Sequence, residues 1–224
     1  MRKKREFLRQ RFFQQINRVR MENLRSRISP HFTFNVLGRE INQFNGSEEV
    51  KHNLMELVKY LRRSLELTEK LSVSLQDELD FVRTYIELER GRVGEEFVAT
   101  VTVEDGLDAT RIMIPSMIVQ IPVENAIKHG LAGKDGKKEL SVYVSRETNG
   151  IRITVTDNGR GYLPQVVSAT WGTGTGLKVL YQTIQLLNTK NKSDKIRFNI
   201  TNRSDGQTGT EVSVYIPFRF SYDL

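Results

Sequence analysis

Val155-Thr-Asp157-Asn-Gly159-Arg-Gly161 sets a carboxylate at the end of an alternating apolar run and follows it with two glycines. A carboxylate in that place can accept a hydrogen bond from the exocyclic amine of a base, and the glycines let the backbone bend beneath the ring without a side chain in the way. A tight strand exit built from the same Asp-Asn-Gly is the competing reading. A second cluster, Gly172-Thr-Gly174-Thr-Gly176, stands directly before Leu177 and a helix-like run. Backbone N–H groups and the field at such a helix start suit phosphate, although a lid hinge or plain loop would need the same glycines. It is no Walker A element, because the Lys-Ser/Thr pair after the last glycine is missing.

Met117, Ile118, Ile121 and Ala126 mark the apolar side of a helix through Pro122, which leaves Asn125 and Lys128 or His129 near one polar edge. An asparagine oxygen can help hold the hydrated Mg²⁺ that accompanies a nucleotide polyphosphate, and Glu124 could orient or assist beside it. An asparagine that only satisfies loop backbone is the alternative. Further upstream, Ser29-Pro-His31-Phe-Thr-Phe-Asn35 carries a histidine beside a proline that frees backbone groups next to it. Neutral imidazole is a nucleophile near pH 7, so His31 is a candidate phosphate acceptor; taken alone it reads more readily as an interior or idle histidine.

These residues need elements to hold them. From Arg5 to about Arg27 there is no Gly or Pro, and Leu8, Phe12, Ile16, Val19 and Leu24 form one apolar stripe of a helix that needs a partner. Phe32, Val36 and Ile41 continue the pattern beyond Pro30, Ser47 offers an N-cap, and Leu54, Leu57, Val58, Leu61 and Leu65 mark a second long helix. Such a hairpin is half of a four-helix bundle, which a second copy of the chain would complete. A third helix runs from Ser74 to near Gly91, and beyond Gly94 the period changes to two. The remainder reads as strand 97–103, helix 115–129, strands 139–146 and 151–157, helix 176–187 and strands 195–201 and 209–216. That order predicts an α+β fold: a helical region over residues 1–92, then an α/β sandwich over 93–220 with helices on one face of a mixed sheet.

Composition narrows the classes. With 224 residues and no cysteine, disulfide frameworks, thiolate metal sites and cysteine nucleophiles are excluded, and three separated histidines give no metal spacing. No stretch is apolar enough to span a bilayer or to act as a signal peptide. The net charge of +7 is concentrated at the start, where residues 2–5, 9 and 11 are Lys or Arg against Glu6 alone. This basic start could be a solvated helix end, a contact for anionic lipid or nucleic acid, or the cytoplasmic flank of an upstream membrane span. Nucleic acid ranks low, since aromatic interleaving is poor and no reading helix follows.

Asn125, Asp157-x-Gly159-x-Gly161 and Gly172-x-Gly174-x-Gly176 resemble the asparagine box and the two glycine boxes of the ATP-binding fold shared by histidine kinases, gyrase-type ATPases, mismatch-repair ATPases and a heat-shock chaperone. The His31 tract, Leu75-x-x-Glu78-Leu, Tyr85-Ile-Glu-Leu-Glu89, Ile114-Pro-Ser-Met-Ile-Val-Gln120 and Gly209-Thr-x-Val-x-Val-x-Ile-Pro217 narrow the resemblance to sensor histidine kinases of the LytS/YehU type over residues 22–218. The resemblance implies that His31 accepts phosphate, Asn125 coordinates Mg²⁺, Asp157 binds adenine and the glycines shape nucleotide loops. Asn35 resembles a polar residue that in related kinases can influence phosphatase chemistry. It further implies ATP and Mg²⁺ as cofactors, a homodimer, a response-regulator aspartate as final acceptor and an upstream sensor segment, making the chain the cytoplasmic portion of an inner-membrane protein. Two departures stand out: Gly38 replaces an asparagine after the Phe-Asn-x-Leu run, and Val179 and Thr183 replace an asparagine and an arginine after the last glycine. An ATP-driven clamp or weak scaffold would keep Asp157 and the glycines but have no use for a modifiable His31.

Overall fold

The computed structural model describes residues 41, 47–162, 175–189, 191 and 193–222. His31, Asn35, Gly172, Gly174, the basic start and the first helical stripe lie outside the described residues.

Helix α1 (Glu48–Glu69) begins where the Ser47 hydroxyl accepts the Val50 amide at 3.4 Å, as the cap residue predicts. Its Val58 and Leu67 are buried, whereas Val50 and Leu57 are exposed, so part of its apolar surface is not covered by any described residue. Only Lys70 and Leu71 separate α1 from the short strand β1 (Ser72–Ser74). Ser74 then caps α2 (Leu75–Val93): its hydroxyl accepts the Asp77 amide at 3.0 Å, acids fill the first turn, Arg90 and Arg92 lie in the last, and Gly94 ends the helix at φ 113°. Leu75, Leu79, Val82 and Ile86 recur at helical spacing and are all buried.

After β2 (Phe97–Val103), strand β3 (Met113–Pro115) pairs antiparallel with β1, Val73 opposite Ile114. A short helix α3 (Gln120–Asn125) runs directly into a π-helical turn (Ala126–Gly130), and among the described residues β4 (Lys138–Glu147), β5 (Gly150–Asp157), α4 (Thr175–Asn188), β6 (Arg197–Asn202) and β7 (Thr210–Pro217) follow. The five-stranded sheet has the order β2-β4-β5-β7-β6, with β2 and β4 parallel and the other pairs antiparallel. Period-two alternation sends Leu140, Val142, Val144, Ile151, Ile153, Val155, Val212, Val214 and Ile216 to one face, where the helices cover them. The α+β sandwich expected from sequence is therefore the observed fold.

Two local outcomes differ from the periodicity. The single helix expected over 115–129 is divided: 113–115 pairs as strand, 116–119 turns, and regular helix starts only at Gln120. The cause is a distant carboxylate. Glu78 of α2, fully buried, accepts the amides of Met117 (2.9 Å), Val119 (3.0 Å) and Gln120 (3.2 Å), capping α3 from another element. The second difference concerns packing. Leu67, Val73 and the buried face of α2 share one core with the sheet, so the change of period at Gly94 marks a change of element while the hydrophobic contacts run across it.

Candidate functional site

Alternation along β5 that buries Ile151, Ile153 and Val155 also turns Asp157 to the helix side of the sheet, 4% exposed. Its Oδ1 accepts the amides of Gly159 at 2.8 Å and Thr210 at 3.4 Å. Burial pushes the Asp157 carboxyl above its ordinary range; the Gly159 and Thr210 amides and the charge of Arg203 oppose that shift in part. The surroundings of this carboxylate leave no room for a methyl group. A Cβ at Gly130 would lie 2.8 Å from Asp157 Oδ1, and one at Gly159 would overlap the Gly130 carbonyl. Gly161 adopts φ 84°, and beside it the Tyr162 amide donates to Asn202 Oδ1 at 2.6 Å.

Gly130 reaches Asp157 because the π turn closes with the Leu131 amide on the Ala126 carbonyl, an i to i+5 bond that admits one extra residue per turn. The same segment carries Asn125, whose Nδ2 donates to the Ile121 carbonyl at 2.7 Å. Asn125 Oδ1 makes no hydrogen bond among the described residues, and it is the hard oxygen a Mg²⁺ would use. Among those residues no three His, Asp or Glu side chains converge on a metal cage. The donor set therefore fits an ion held largely by phosphate and water, with Asn125 as the protein ligand. Near the start of α4, a Cβ on Gly176 would lie 3.3 Å from Ile121 Cγ2, which puts that helix end against the turn preceding Asn125. Gly130 thus sets the turn after Asn125 against Asp157 and Gly159, and Gly176 sets the start of α4 against α3.

Glu124 and Lys128 pair with each other. Their salt bridge (2.9 Å) lies on the side of α3 that faces α2, Lys128 Nζ is 5.9 Å from the Tyr85 ring centroid, and Glu124 Oε1 accepts Gln120 Nε2 at 3.1 Å. His129, exposed beside Arg160 and Lys128, is held below its ordinary pKa first by desolvation and then by those two cations. A hollow of about 420 Å³, lined by Thr100, Ser141, Thr156 and Arg203, opens on the opposite face of the sheet, away from Asp157 and Asn125. Gly130 is not singled out by motif or spacing, and Glu78 and Thr210 enter the sequence reading only as members of motifs, without these roles. Gly130 carried a signal, a glycine at the end of a helix, but its partner Asp157 lies on a different element.

A mixed sheet covered on one face, with a buried aspartate ending an inner strand beside a glycine-rimmed helix terminus, defines the ATPase class described as histidine kinase-, DNA gyrase B- and HSP90-like, whose family model matches residues 111–219. The Histidine kinase model matches residues 19–97 ahead of it. The two models together span most of the chain and make it a histidine kinase by family, similar to sensor histidine kinases of the LytS type. It is 32% identical over 197 residues to sensor histidine kinase/phosphatase LytS of Staphylococcus aureus (strain MRSA252), covering 84% of this chain and 33% of that protein. It is 28% identical over 202 residues to sensor histidine kinase YpdA of Escherichia coli (strain K12), covering 90% of this chain and 34% of that one. The chain thus spans about a third of the length of these relatives. Its fold is similar to the histidine kinase domain of the blue-light activated histidine kinase from Erythrobacter litoralis EL346, with TM-score 0.50 and 17% identity over 92% of this chain and 94% of that one.

Proposed function

We propose that the chain is the kinase portion of a two-component sensor, which phosphorylates itself on His31 from ATP and passes the phosphoryl group to an aspartate of a separate response regulator. The observation that supports this best is the Asp157 carboxylate, buried and rimmed by Gly130 and Gly159, in a chain whose residues 19–97 match the histidine kinase family. Asp157 accepts the adenine amine, and Gly159 and Gly161 pass beneath the ring. The backbone at Gly172, Gly174, Gly176 and Leu177 receives the phosphates at the start of α4.

An imidazole nitrogen of His31 attacks the γ-phosphorus, the bond to the β,γ-bridging oxygen breaks, and ADP leaves. Glu124 is the candidate acceptor of the imidazole proton. Lys128 holds Glu124 through an exposed pair of the kind worth little, so it can turn to phosphate and leave that carboxylate free. Asn125 Oδ1 would hold Mg²⁺, which neutralises phosphate charge when bound. Asn35, four residues beyond His31 in sequence, is proposed to bear on the reverse, phosphatase chemistry. The functional division falls at 1–92 for dimerisation and His31 and at 93–220 for ATP, with α2 contributing to the core of the second part. The apolar surface of α1 and the stripe at residues 8–24 suit a homodimer. Among the described residues no helix is long and apolar enough to cross a membrane, and an upstream membrane sensor segment with this chain on its cytoplasmic side is part of the proposal.

The test is incubation with γ-labelled ATP and Mg²⁺. Acid-labile label that is lost in His31→Gln is expected, with Asp157→Asn weakening nucleotide binding. Nucleotide binding without label on His31 would make the chain an ATP-driven clamp or scaffold instead.

A further inference from the structure

Resting on that reading, we infer that Gln120 is a positioning residue for the phosphoryl transfer, tying helix α1 to the residue beside Asn125. Gln120 is fully buried, and its Nε2 donates to the Tyr60 hydroxyl at 3.0 Å and to Glu124 Oε1 at 3.1 Å. A carboxylate only accepts, so Glu124 fixes which end of the carboxamide is nitrogen. Its backbone amide is held by Glu78 of α2. Gln120 therefore receives α1 through its side chain and α2 through its main chain, and it contacts Glu124 one residue before Asn125.

The arrangement is not one that stability alone would select. Gln120 Oε1 and the Tyr85 hydroxyl are the two buried side-chain polar atoms without a hydrogen-bond partner among the described residues. Both belong to this cluster, since the Tyr60 ring stacks on Phe81 at 4.8 Å and on Tyr85 at 5.7 Å. Leaving a buried acceptor unmade is costly, and apolar side chains of the same size would join α1 to α3 without that cost. What the carboxamide adds is direction: it couples the position of the Tyr60 hydroxyl on α1 to the orientation of the Glu124 carboxylate. Burial first, and then the negative charge of Glu124, keep the Tyr60 phenol protonated, so this link does not titrate near neutrality.

The two bonds can be cut separately. Tyr60→Phe removes one oxygen and keeps the ring stack. Gln120→Glu removes the donor shared by Tyr60 and Glu124: the Tyr60 hydroxyl can turn to donate to the new carboxylate, whereas a like charge is set against Glu124. In the full chain, each is expected to slow labelling of His31 at saturating Mg-ATP by about five- to tenfold. The Kd for Mg-ATP, read by displacement of a fluorescent ATP analogue, is expected to stay within about twofold of wild type. The double variant should be no slower than the slower single one, because both cuts break one linkage. Labelling at the wild-type rate in Tyr60→Phe overturns the inference. So does a parallel fall of rate, nucleotide affinity and melting temperature, which is the signature of packing alone. A wild-type chain that binds no Mg-ATP, or binds it without labelling His31, defeats the parent reading and this one with it.

Discussion

The amide of Gln120 donates to Oε1 of Glu78 at 3.2 Å, across 42 residues of sequence. The other carboxylate oxygen takes the amide of Met117, whose φ of 68° places a non-glycine residue in the left-handed region. The start of α3 is thus fixed by α2, not by a cap of its own.

Glu78→Ala should consequently lower stability by about 3 kcal/mol, since amides with little access to water lose their acceptor at about 1 kcal/mol or more each. Urea denaturation measures it. A loss under about 1 kcal/mol would mean that water or a backbone shift replaces the carboxylate.

Gly130→Ala brings a methyl within 2.8 Å of Asp157 Oδ1 and is expected to weaken Mg-ATP binding at least about tenfold. Gly91 is the contrasting case, because it lies in the last turn of α2 with open space at its Cβ position. Gly91→Ala should leave nucleotide affinity unchanged and raise stability by about 0.5–1 kcal/mol. Equal effects of the two substitutions on Kd would remove Gly130 from the site.

If the Asp157 carboxylate accepts from the exocyclic amine, a base with a carbonyl in that place sets acceptor against acceptor. Competition binding with ITP against ATP should show discrimination of at least about a hundredfold, which Asp157→Asn narrows. Equal affinities would show that the carboxylate serves the fold alone.

The pH response follows from the raised pKa of Asp157. A carboxyl whose folded pKa exceeds its unfolded value holds its proton more tightly in the fold. Its contribution to stability is therefore present in acid and lost as pH rises through the folded pKa. Adenine recognition runs the opposite way, because it needs the ionised form. The rise in melting temperature conferred by Mg-ATP should shrink as pH falls through that pKa, without any loss of ligand-free stability from this group. Melts with and without Mg-ATP across acidic pH check this, and Asp157→Asn should lack this component of the response.

Asp157, Gly159 and Gly161 were legible because strand alternation and turn chemistry are local: Ile151, Ile153 and Val155 point inward, and Asp157 continues their face. Ser47 and Ser74 were legible as caps for the same reason. The start of α3 was not, since apolar spacing from Met117 to Ala126 describes one continuous helix while the group that divides it stands on α2. Nor does periodicity indicate the π turn, which shifts Gly130 onto Asp157, or separate Glu124 from Asn125. These two neighbours read as one polar patch in sequence, yet one is paired with Gln120 and Lys128 while the other bonds back to Ile121. The core was likewise placed by partner rather than by period, with α2 amphipathic in sequence but silent about the sheet it covers.

The brevity of the Lys70-Leu71 connection limits how the molecule can move. Leu67 is packed in the core, its carbonyl accepts the Ser116 hydroxyl, and the Leu71 carbonyl accepts the Ser116 amide at 3.2 Å. The C-terminal half of α1 therefore rides as a fixed lever on the nucleotide-binding body rather than hanging from it by a swivel. A displacement of that half of α1 is therefore shared by the strand pair β1–β3 and by Ser116, four residues before Gln120.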